Sequence, residues 1–492
     1  MKTIPLLFDE FNKIKSGEIT EHSLHYRWLD RQHNPVWVNC RGDVILDEFN
    51  KPLYLIGCVN EIGKRQKADN ISGLLREPSL EEYVSSKSKN NITGYFMQIG
   101  IDDFDEINGR FGLKCGDEIL KQFSMCMQSC INENQKIYEL GNGRFIIMDL
   151  ANHSKEDILE LYDELKKSVE VALEENVYRV VYTISVGVVE IDKEMKDYDT
   201  LIKYSDFALN EAKKKGKNSC YFFTQDKYKQ FIRRREIRVE LQNAVDHNFK
   251  NFDIYYQPII DIHTRNLIGA EALMRFKMKR NEQIEFISPA EFIPILEESG
   301  LIIPAGRWIL RQAVACCKKW QEFIPEFKMN VNLSYVQIIK SSILDEIKQA
   351  LKDYNLKPAL LGIEVTESGY LENTYHYKKL WSSLKEEGIT LILDDYGTGY
   401  SNAYRLSDLT PHYIKIDRVL TQKALSSNYE RSILIYIIEM AHSLRLNVCI
   451  EGVETEEELQ EIKKLNPDYI QGYLFGKPTP EDEFYNRQIK KK

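Results

Sequence analysis

An apolar run in this chain ends in two adjacent carboxylates. Leu391-Ile392-Leu393 leads straight into Asp394-Asp395, and the glycine-bearing segment Tyr396-Gly397-Thr398-Gly399-Tyr400-Ser401 follows. Burying even one unpaired carboxylate is costly, so an apolar strand has no reason of its own to finish in two like charges. A divalent cation removes that cost, because hard cations take carboxylate oxygens. The plain alternative is a strand end followed by a capped loop. More polar residues stand at the ends of strand-like runs downstream of Phe252: Glu271, Asn332, Glu364, Lys415 with Asp417, Glu451 with Glu454, and Gln471. Glutamate, aspartate and asparagine without clustered histidine or cysteine suit Mg²⁺ or Mn²⁺ rather than zinc. Several carboxylates in one place suffice for two cations, which in phosphoryl-transfer sites sit roughly 3.5–4 Å apart and activate a water.

The elements that must position these residues read as alternating strands and helices. Strand-like runs cover 254–262, 267–276, 328–333, 360–366, 390–394, 413–416, 448–451 and 469–474, and amphipathic helices cover 306–323, 375–387, 429–444 and 456–465. Such βα repetition predicts a parallel, TIM-like (β/α)8 barrel, whose site lies at the C-terminal ends of the strands. Each polar strand end taken singly has a bland reading, but their collection on one barrel face is hard to obtain by chance. Period-two geometry puts Glu271 with Arg275, and Lys415 with Asp417, on one face of their strands. Asp394 and Asp395 point to opposite faces of a regular strand. Both serve one site only if the strand breaks there, which Gly397 and Gly399 permit.

The totals bound the rest. The chain has 492 residues, 43% hydrophobic and 29% charged, with a net charge of −9. That balance argues against a nucleic-acid polymer held by bulk charge. A small phosphorylated substrate remains open where metal or local cations supply positive charge. The nine cysteines are odd in number and form no Cys-x-x-Cys pair, so neither a disulfide framework nor a zinc site is indicated. Reduced thiols in the cytoplasm are expected. Met1-Lys2-Thr3-Ile4-Pro5 shows no signal-peptide apolar core, and no stretch is long and apolar enough to span a bilayer.

Upstream, residues 1–62 read as a short helix and three strands over 22–29, 36–45 and 53–59. Tyr26-Arg27-Trp28, Val36-Trp37-Val38 and Leu55-Ile56-Gly57-Cys58-Val59-Asn60-Glu61-Ile62 resemble the C-terminal half of a PAS sensor domain. A small β-meander without a sensing role is the alternative. Three strands with an open face are marginal alone, so pairing with another subunit, hence a homodimer, or membership of a longer chain is expected. A polar helical connector is read over 63–72.

Residues 63–225 alternate strands (95–101, 179–190), a hairpin (136–150) and helices (117–130, 198–215). The segments Asp69-Asn70-Ile71-Ser72-Gly73-Leu74, Asn108, Phe111-Gly112, Gly116-Asp117, Ile184-Ser185-Val186-Gly187 and Asp206 to Lys213 resemble a GGDEF domain, the α+β diguanylate cyclase fold. Its catalytic parts are missing. The name motif stands as Gly141-Asn142-Gly143-Arg144-Phe145, the first metal-binding aspartate falls on Gly100, and Asn132-Glu133-Asn134-Gln135 replaces the feedback motif. Nucleotidyl transfer needs carboxylates to hold Mg²⁺ against the triphosphate, so no cyclase activity is expected. By the same resemblance Asn108 and Asp117 match guanine-recognising positions, and Lys213 and Lys217 positions near the phosphates. Regulatory GTP binding without catalysis, with Arg144 replacing part of the metal's charge, is one reading; a vestigial scaffold is the other. A helix follows over 226–250, with Ile237, Leu241 and Val245 at packing spacing and Arg233-Arg234-Arg235 as a solvated face.

Residues 226–492 are similar to an EAL-type cyclic di-GMP phosphodiesterase over their full length. The motifs are Tyr256-Gln257-Pro258-Ile259, Glu271-Ala272-Leu273-Met274-Arg275-Phe276, Asn332-Leu333-Ser334, Glu364-Val365-Thr366-Glu367, Asp394 to Ser401, Lys415-Ile416-Asp417, Glu451-Gly452-Val453-Glu454 and Gln471-Gly472-Tyr473. The resemblance implies hydrolysis of cyclic di-GMP to linear pGpG. Glu271, Asn332, Glu364 and Asp394 would hold one metal, and Asp394, Asp395 and Glu451 the second. Lys415 would orient the attacking water or help deprotonate it. Arg275 would grip a phosphate, Gln257 and Leu273 would contact substrate, Glu454 would steady the loop after Asp394-Asp395, Glu367 would stand behind the metal ligands, and Gln471 would lie near the water or metals. Phe276 and Tyr396 depart from the family's usual tryptophan and phenylalanine without removing a ligand. The rival implication is a receptor that binds cyclic di-GMP and signals by contact; such receptors usually lack some of these carboxylates.

Overall fold

The computed structural model describes residues 11–16, 19, 21–29, 35–47, 51–62, 69, 71–87, 93–151, 153–174, 180–192, 197–280, 282–366, 374–397 and 410–490. They fall into two compact units, Met1–Gln230 and Phe231–Lys492. No helix among the described residues is long and apolar enough to cross a membrane.

The first unit opens on an antiparallel sheet of three strands, Glu21–Leu29, Pro35–Leu46 and Pro52–Ile62, paired in sequence order. On its last strand Leu53 and Leu55 alternate with Tyr54 and Ile56, and all four are exposed. Both faces of that strand are therefore open, rather than the single face expected. The helical connector falls partly outside the described residues, at 63–68 and 70. Where it is described it is a turn: the Asp69 carboxylate accepts from Ile71 N at 2.8 Å and Ser72 N at 2.9 Å. Such local side-chain bonds offer the backbone an alternative to helix.

A six-stranded sheet follows in the order Leu75–Arg76, Gln135–Gly141, Arg144–Asp149, Gly94–Ile101, Ile184–Ile191, Cys220–Phe222. Its central strand is buried on both faces. Met97 and Ile99 pack with Phe123 of helix Leu113–Cys130 and Leu165 of helix Lys155–Glu174. Phe96 packs on the other side with Leu80 and Val84 of helix Glu77–Lys87 and Leu201 of helix Tyr198–Lys214. The strand read from 179 begins only at Ile184, because Val180 and Tyr182 are buried without joining the ladder.

The second unit starts in helix Gln225–Asp246 and closes an eight-stranded barrel. Its staves are β1 (Phe252–Asp261), β2 (Leu267–Arg280), β3 (Lys328–Asn332), β4 (Leu361–Thr366), β5 (Thr390–Tyr396), β6 (Tyr413–Ile416), β7 (Asn447–Glu451) and β8 (Tyr469–Gln471). From β2 to β8 each neighbour is parallel. β1 is the exception to the parallel barrel expected, since it runs antiparallel to both β2 and β8. A short reversal at 262–266 joins β1 to β2, and a parallel pair cannot be linked without a long crossover. Helices Ile302–Trp320, Ile343–Asp353, Thr374–Glu386, Asn428–Ser443 and Glu456–Lys463 cover the outside.

One packing point is testable. A Cβ on Gly187 would lie 2.2 Å from Leu209 N, where helix Tyr198–Lys214 crosses the sheet. Gly187→Ala forces that helix away, and overpacking of this kind costs about 1–3 kcal/mol. Chemical denaturation should show the loss in the first unit; an unchanged midpoint would show that the helix is not seated so closely.

Candidate functional site

Lys415 lies in the middle of β6, 1% exposed, with its side chain inside the barrel. Its ammonium stands 2.7 Å from Glu451 Oε1, 2.8 Å from Glu271 Oε2, 3.0 Å from Glu364 Oε2 and 3.4 Å from Asp394 Oδ1. Four carboxylates from β2, β4, β5 and β7 thus converge on one cation from β6. Oxygens of Glu271, Glu364 and Asp394 lie within 4.8 Å of one another. Amide donors hold the set in place. Asn332 Nδ2 donates to Glu271 Oε1 at 2.7 Å, and Gln471 Nε2 donates to Glu271 Oε2 at 2.8 Å and to Gln257 Oε1 at 3.0 Å. The barrel brings together Gln257, Glu271, Asn332, Glu364, Asp394, Lys415, Glu451 and Gln471.

The electrostatics follow from burial and crowding. Burial alone would lower Lys415, but Asp394, Glu271, Glu364 and Glu451 hold it well above the usual lysine range. Burial and then the Glu271 charge push Glu364 well up. Burial pushes Glu451 up to about 8 despite the Lys415 charge. Glu271 alone is lowered: burial works against it, and the Lys415 charge with the bonds from Lys415, Gln471 and Asn332 outweighs that. Asp394 Oδ1 is buried and accepts no hydrogen bond. That oxygen faces the Lys415 ammonium at 3.4 Å by charge alone, among raised carboxyls, an arrangement that a bound cation would complete.

Asp394 and Asp395 reach this place by a β-bulge. β5 pairs with β6 at Leu393↔Ile414 and next at Tyr396↔Ile416, so two aspartates stand opposite Lys415 alone. Asp395 takes φ +56, in the left-handed region that aspartate tolerates better than most residues. The strand therefore breaks at Asp395 itself and not at a glycine. Gly397 follows at φ +102 against Leu420, and Gly399 lies outside the described residues. Burial first, then Asp394 and Asp417, push Asp395 up to about 6.

Other expected residues take neighbouring places. Asp417 is not in the cluster: its carboxylate accepts from Val419 N at 2.7 Å and caps helix Arg418–Ser426. Glu454 pairs with Arg418 at 2.7 Å on the wall of the cleft. The loop it was expected to steady, 398–409, lies outside the described residues, as does Glu367. Gln257, Leu273 and Gln471 line a cleft of about 250 Å³ over the carboxylates. Leu273 and Arg275 also line an adjoining cavity of about 450 Å³ with Pro289, Ile293 and Tyr335. Half-buried Arg275 donates to Met274 O at 2.9 Å and lies over the Tyr255 ring, and no carboxylate pairs with it among the described residues.

Asn330 escaped the sequence reading. Its Nδ2 donates to Glu364 Oε1 at 2.7 Å and also meets the Tyr413 hydroxyl, so it holds the deepest carboxylate from behind. The signal was available: Asn330 and Asn332 alternate with Met329 and Val331, which puts both asparagines on one face of β3.

The first unit assembles a cationic counterpart. A Cβ on Gly100 would lie 3.1 Å from Lys213 Nζ, and Gly100 is paired with Arg144 across the sheet. Arg144 stands 3.4 Å from Asp206, and Lys217 pairs with Asp103 at 2.6 Å. Asn108 packs on Gly116, beside exposed Asp117, and its Oδ1 is buried without a hydrogen bond.

The EAL domain family matches residues 238–478, and the diguanylate cyclase GGDEF domain family matches residues 67–219. The chain is similar to signaling protein YkoW of Bacillus subtilis (strain 168), 30% identical over 399 residues, 80% of this chain and 48% of that protein. It spans about half of YkoW's length. It is also similar to cyclic di-GMP phosphodiesterase PdeR of Escherichia coli (strain K12), 27% identical over 465 residues, 93% of this chain and 68% of that protein. Among solved structures, the cAMP-bound form of the EAL enzyme Bd1971 covers 61% of this chain and 79% of its own, at 24% identity and a TM-score of 0.50, a likeness of fold. The chain carries a GGDEF domain followed by an EAL domain in tandem.

Proposed function

We propose that the barrel unit, read as residues 226–492, hydrolyses cyclic di-GMP to linear pGpG with two Mg²⁺ or Mn²⁺ ions. The observation that carries this is the buried Glu271, Glu364 and Asp394 set, beside the half-buried Arg275 guanidinium, which forms no ion pair among the described residues. The donor set fits hard divalent cations, being all oxygen and mostly carboxylate. Glu271, Asn332, Glu364 and Asp394 would hold one ion, and Asp394, Asp395 and Glu451 the other. Such ions, when bound, make water a nucleophile near neutral pH and offset phosphodiester charge.

The chain's own residues do the rest. Arg275 donates to a substrate phosphate, as a bidentate guanidinium can. Gln257 and Leu273 hold the substrate over the carboxylates, and the larger apolar cavity receives a base. Lys415 keeps its proton while four carboxylates surround it, so it first orients the attacking water. It becomes an assisting base only once bound cations take up that negative charge. Gln471 and Asn332 fix Glu271. The Arg418–Glu454 pair stiffens the cleft wall. PdeR, by its name, is a cyclic di-GMP phosphodiesterase, which supports this substrate.

We read the GGDEF domain, residues 63–225, as a non-cyclising regulator that binds GTP. Gly100 and Arg144 replace metal carboxylates, and the Lys213 ammonium stands beside Gly100. The orphaned Asn108 oxygen calls for a donor, and a guanine edge supplies one. Calorimetry with about 1 mM GTP, without divalent metal, should show saturable binding that Asn108→Ala abolishes. No heat from the unaltered protein at that concentration ends this reading.

Purified chain with cyclic di-GMP and either metal should release pGpG, and Glu271→Ala should stop turnover. Tight substrate binding without product, in both metals, would make the protein a receptor instead. Asn330→Ala should weaken metal affinity or turnover about 10–100-fold, as outer supports of ligating carboxylates do. Activity intact in that variant would remove Asn330 from the account.

The raised carboxyls set a pH dependence. Asp395 near 6 and Glu451 near 8 are raised above their unfolded values, so the metal-free fold gains stability from their protonated forms and loses it as pH rises through that range. Cations need the ionised forms, so Mn²⁺ affinity should climb between about pH 6 and 8 with proton release on binding. Calorimetry in two buffers of different ionisation heat measures this, and affinity independent of pH would contradict it.

A further inference from the structure

A second cavity in the EAL domain, of about 410 Å³, opens at the end of the barrel opposite the carboxylates. The first residues of five staves line it: Lys328, Thr390, Tyr413, Asn447 and Tyr469. Lys385 and Arg445 join Lys328 there, and no aspartate or glutamate is among its described lining residues. Lys385 Nζ donates to Thr410 Oγ1 at 3.1 Å. None of the three cations forms an ion pair among the described residues. About half of the other long cations of this unit do, as Arg265 with Glu456 and Lys319 with Glu481 show. In a chain of net charge −9, three uncompensated cations around one hollow need a reason.

His412 adds a fixed donor. Leu391 N donates to its Nδ1 at 2.9 Å, so the neutral ring carries its proton on Nε2. Burial, then Lys385 and Lys328, lower its pKa and keep it neutral. The amide of Asn447 and the hydroxyl of Tyr469 are 3.3 Å apart on the same wall. Tyr413, whose hydroxyl meets Asn330 inside the barrel, forms another part of the wall.

We propose that this cavity is an anion site for a small phosphorylated molecule, its phosphate held by Lys328, Lys385 and Arg445. Three cations suit a multiply charged phosphate better than a single carboxylate. The volume exceeds what an inorganic ion needs, which leaves room for an organic part.

The test is calorimetric titration of the full chain, free of divalent metal, with sodium pyrophosphate in one arm and GMP in the other. Lys385→Ala/Arg445→Ala and Lys328→Ala are run beside it. Saturable binding is expected in at least one arm, weakened about tenfold or more in the double variant. It should also weaken with added salt, because the contacts are partly exposed. Equal affinity for both probes assigns the site to phosphate alone; tighter GMP assigns it to a nucleotide. The His412 imidazole resonance should shift with the bound probe and give a local readout. Lys385 and Arg445 lie at the surface and Lys328 is half-buried, so thermal midpoints should stay close to that of the unaltered protein. No saturable heat with either probe, or the same affinity in the double variant, overturns the proposal and leaves three solvated cations.

Discussion

The barrel is built around one buried ammonium. Lys415 reaches carboxylates from four other staves, and each contact fixes the register of the strand that supplies it. Burying charge is expensive, and removing one partner of a buried pair typically costs about 3–5 kcal/mol because the other is left uncompensated. The cluster is therefore poor as a stabiliser and good as a device that allows only one arrangement. Lys415 opposes one positive charge to four acids. The shortfall shows as raised carboxyls and an Asp394 Oδ1 that no hydrogen bond reaches, 3.4 Å from the ammonium. The bare site is short of positive charge, and divalent cations are the chemistry that supplies it.

The two domains answer the same problem in opposite ways. In the EAL domain the acids are kept and a lysine partly offsets them. In the GGDEF domain Gly100 offers no carboxylate, and the Lys213 ammonium stands beside it. Arg144 rests against Asp206, so the cationic charge there is partly neutralised within the protein. One site requires cations. The other has no carboxylate at Gly100 or Arg144 to bind them, and retains donors suited to an anion.

Most of the barrel site was legible because its residues interrupt apolar strand runs, where a charge or an amide contradicts its neighbours. Glu271, Asn332, Glu364, Asp394, Lys415, Glu451 and Gln471 all announced themselves in that way. Two details were not legible. The break in β5 is a bulge at Asp395 and not a glycine hinge, because aspartate reaches the left-handed region when its strand is held on both sides. Asp417 alternates with Lys415 in sequence yet caps a helix, since β6 ends at Ile416 and period two no longer applies. Antiparallel β1 was missed because strand direction depends on the connection and not on the apolar pattern. Asn330 was overlooked because an uncharged amide between Met329 and Val331 reads as core.

The central claim is that the acids around Lys415 form a divalent-cation site. The most direct measurement is titration of the protein with Mn²⁺ at pH 8, followed by electron paramagnetic resonance of the free ion, in the unaltered protein and in Glu364→Gln. Saturable uptake of Mn²⁺ by the unaltered protein is expected, and its loss in the variant, with the fold intact by circular dichroism. Equal uptake by both proteins, or none by either, would contradict it.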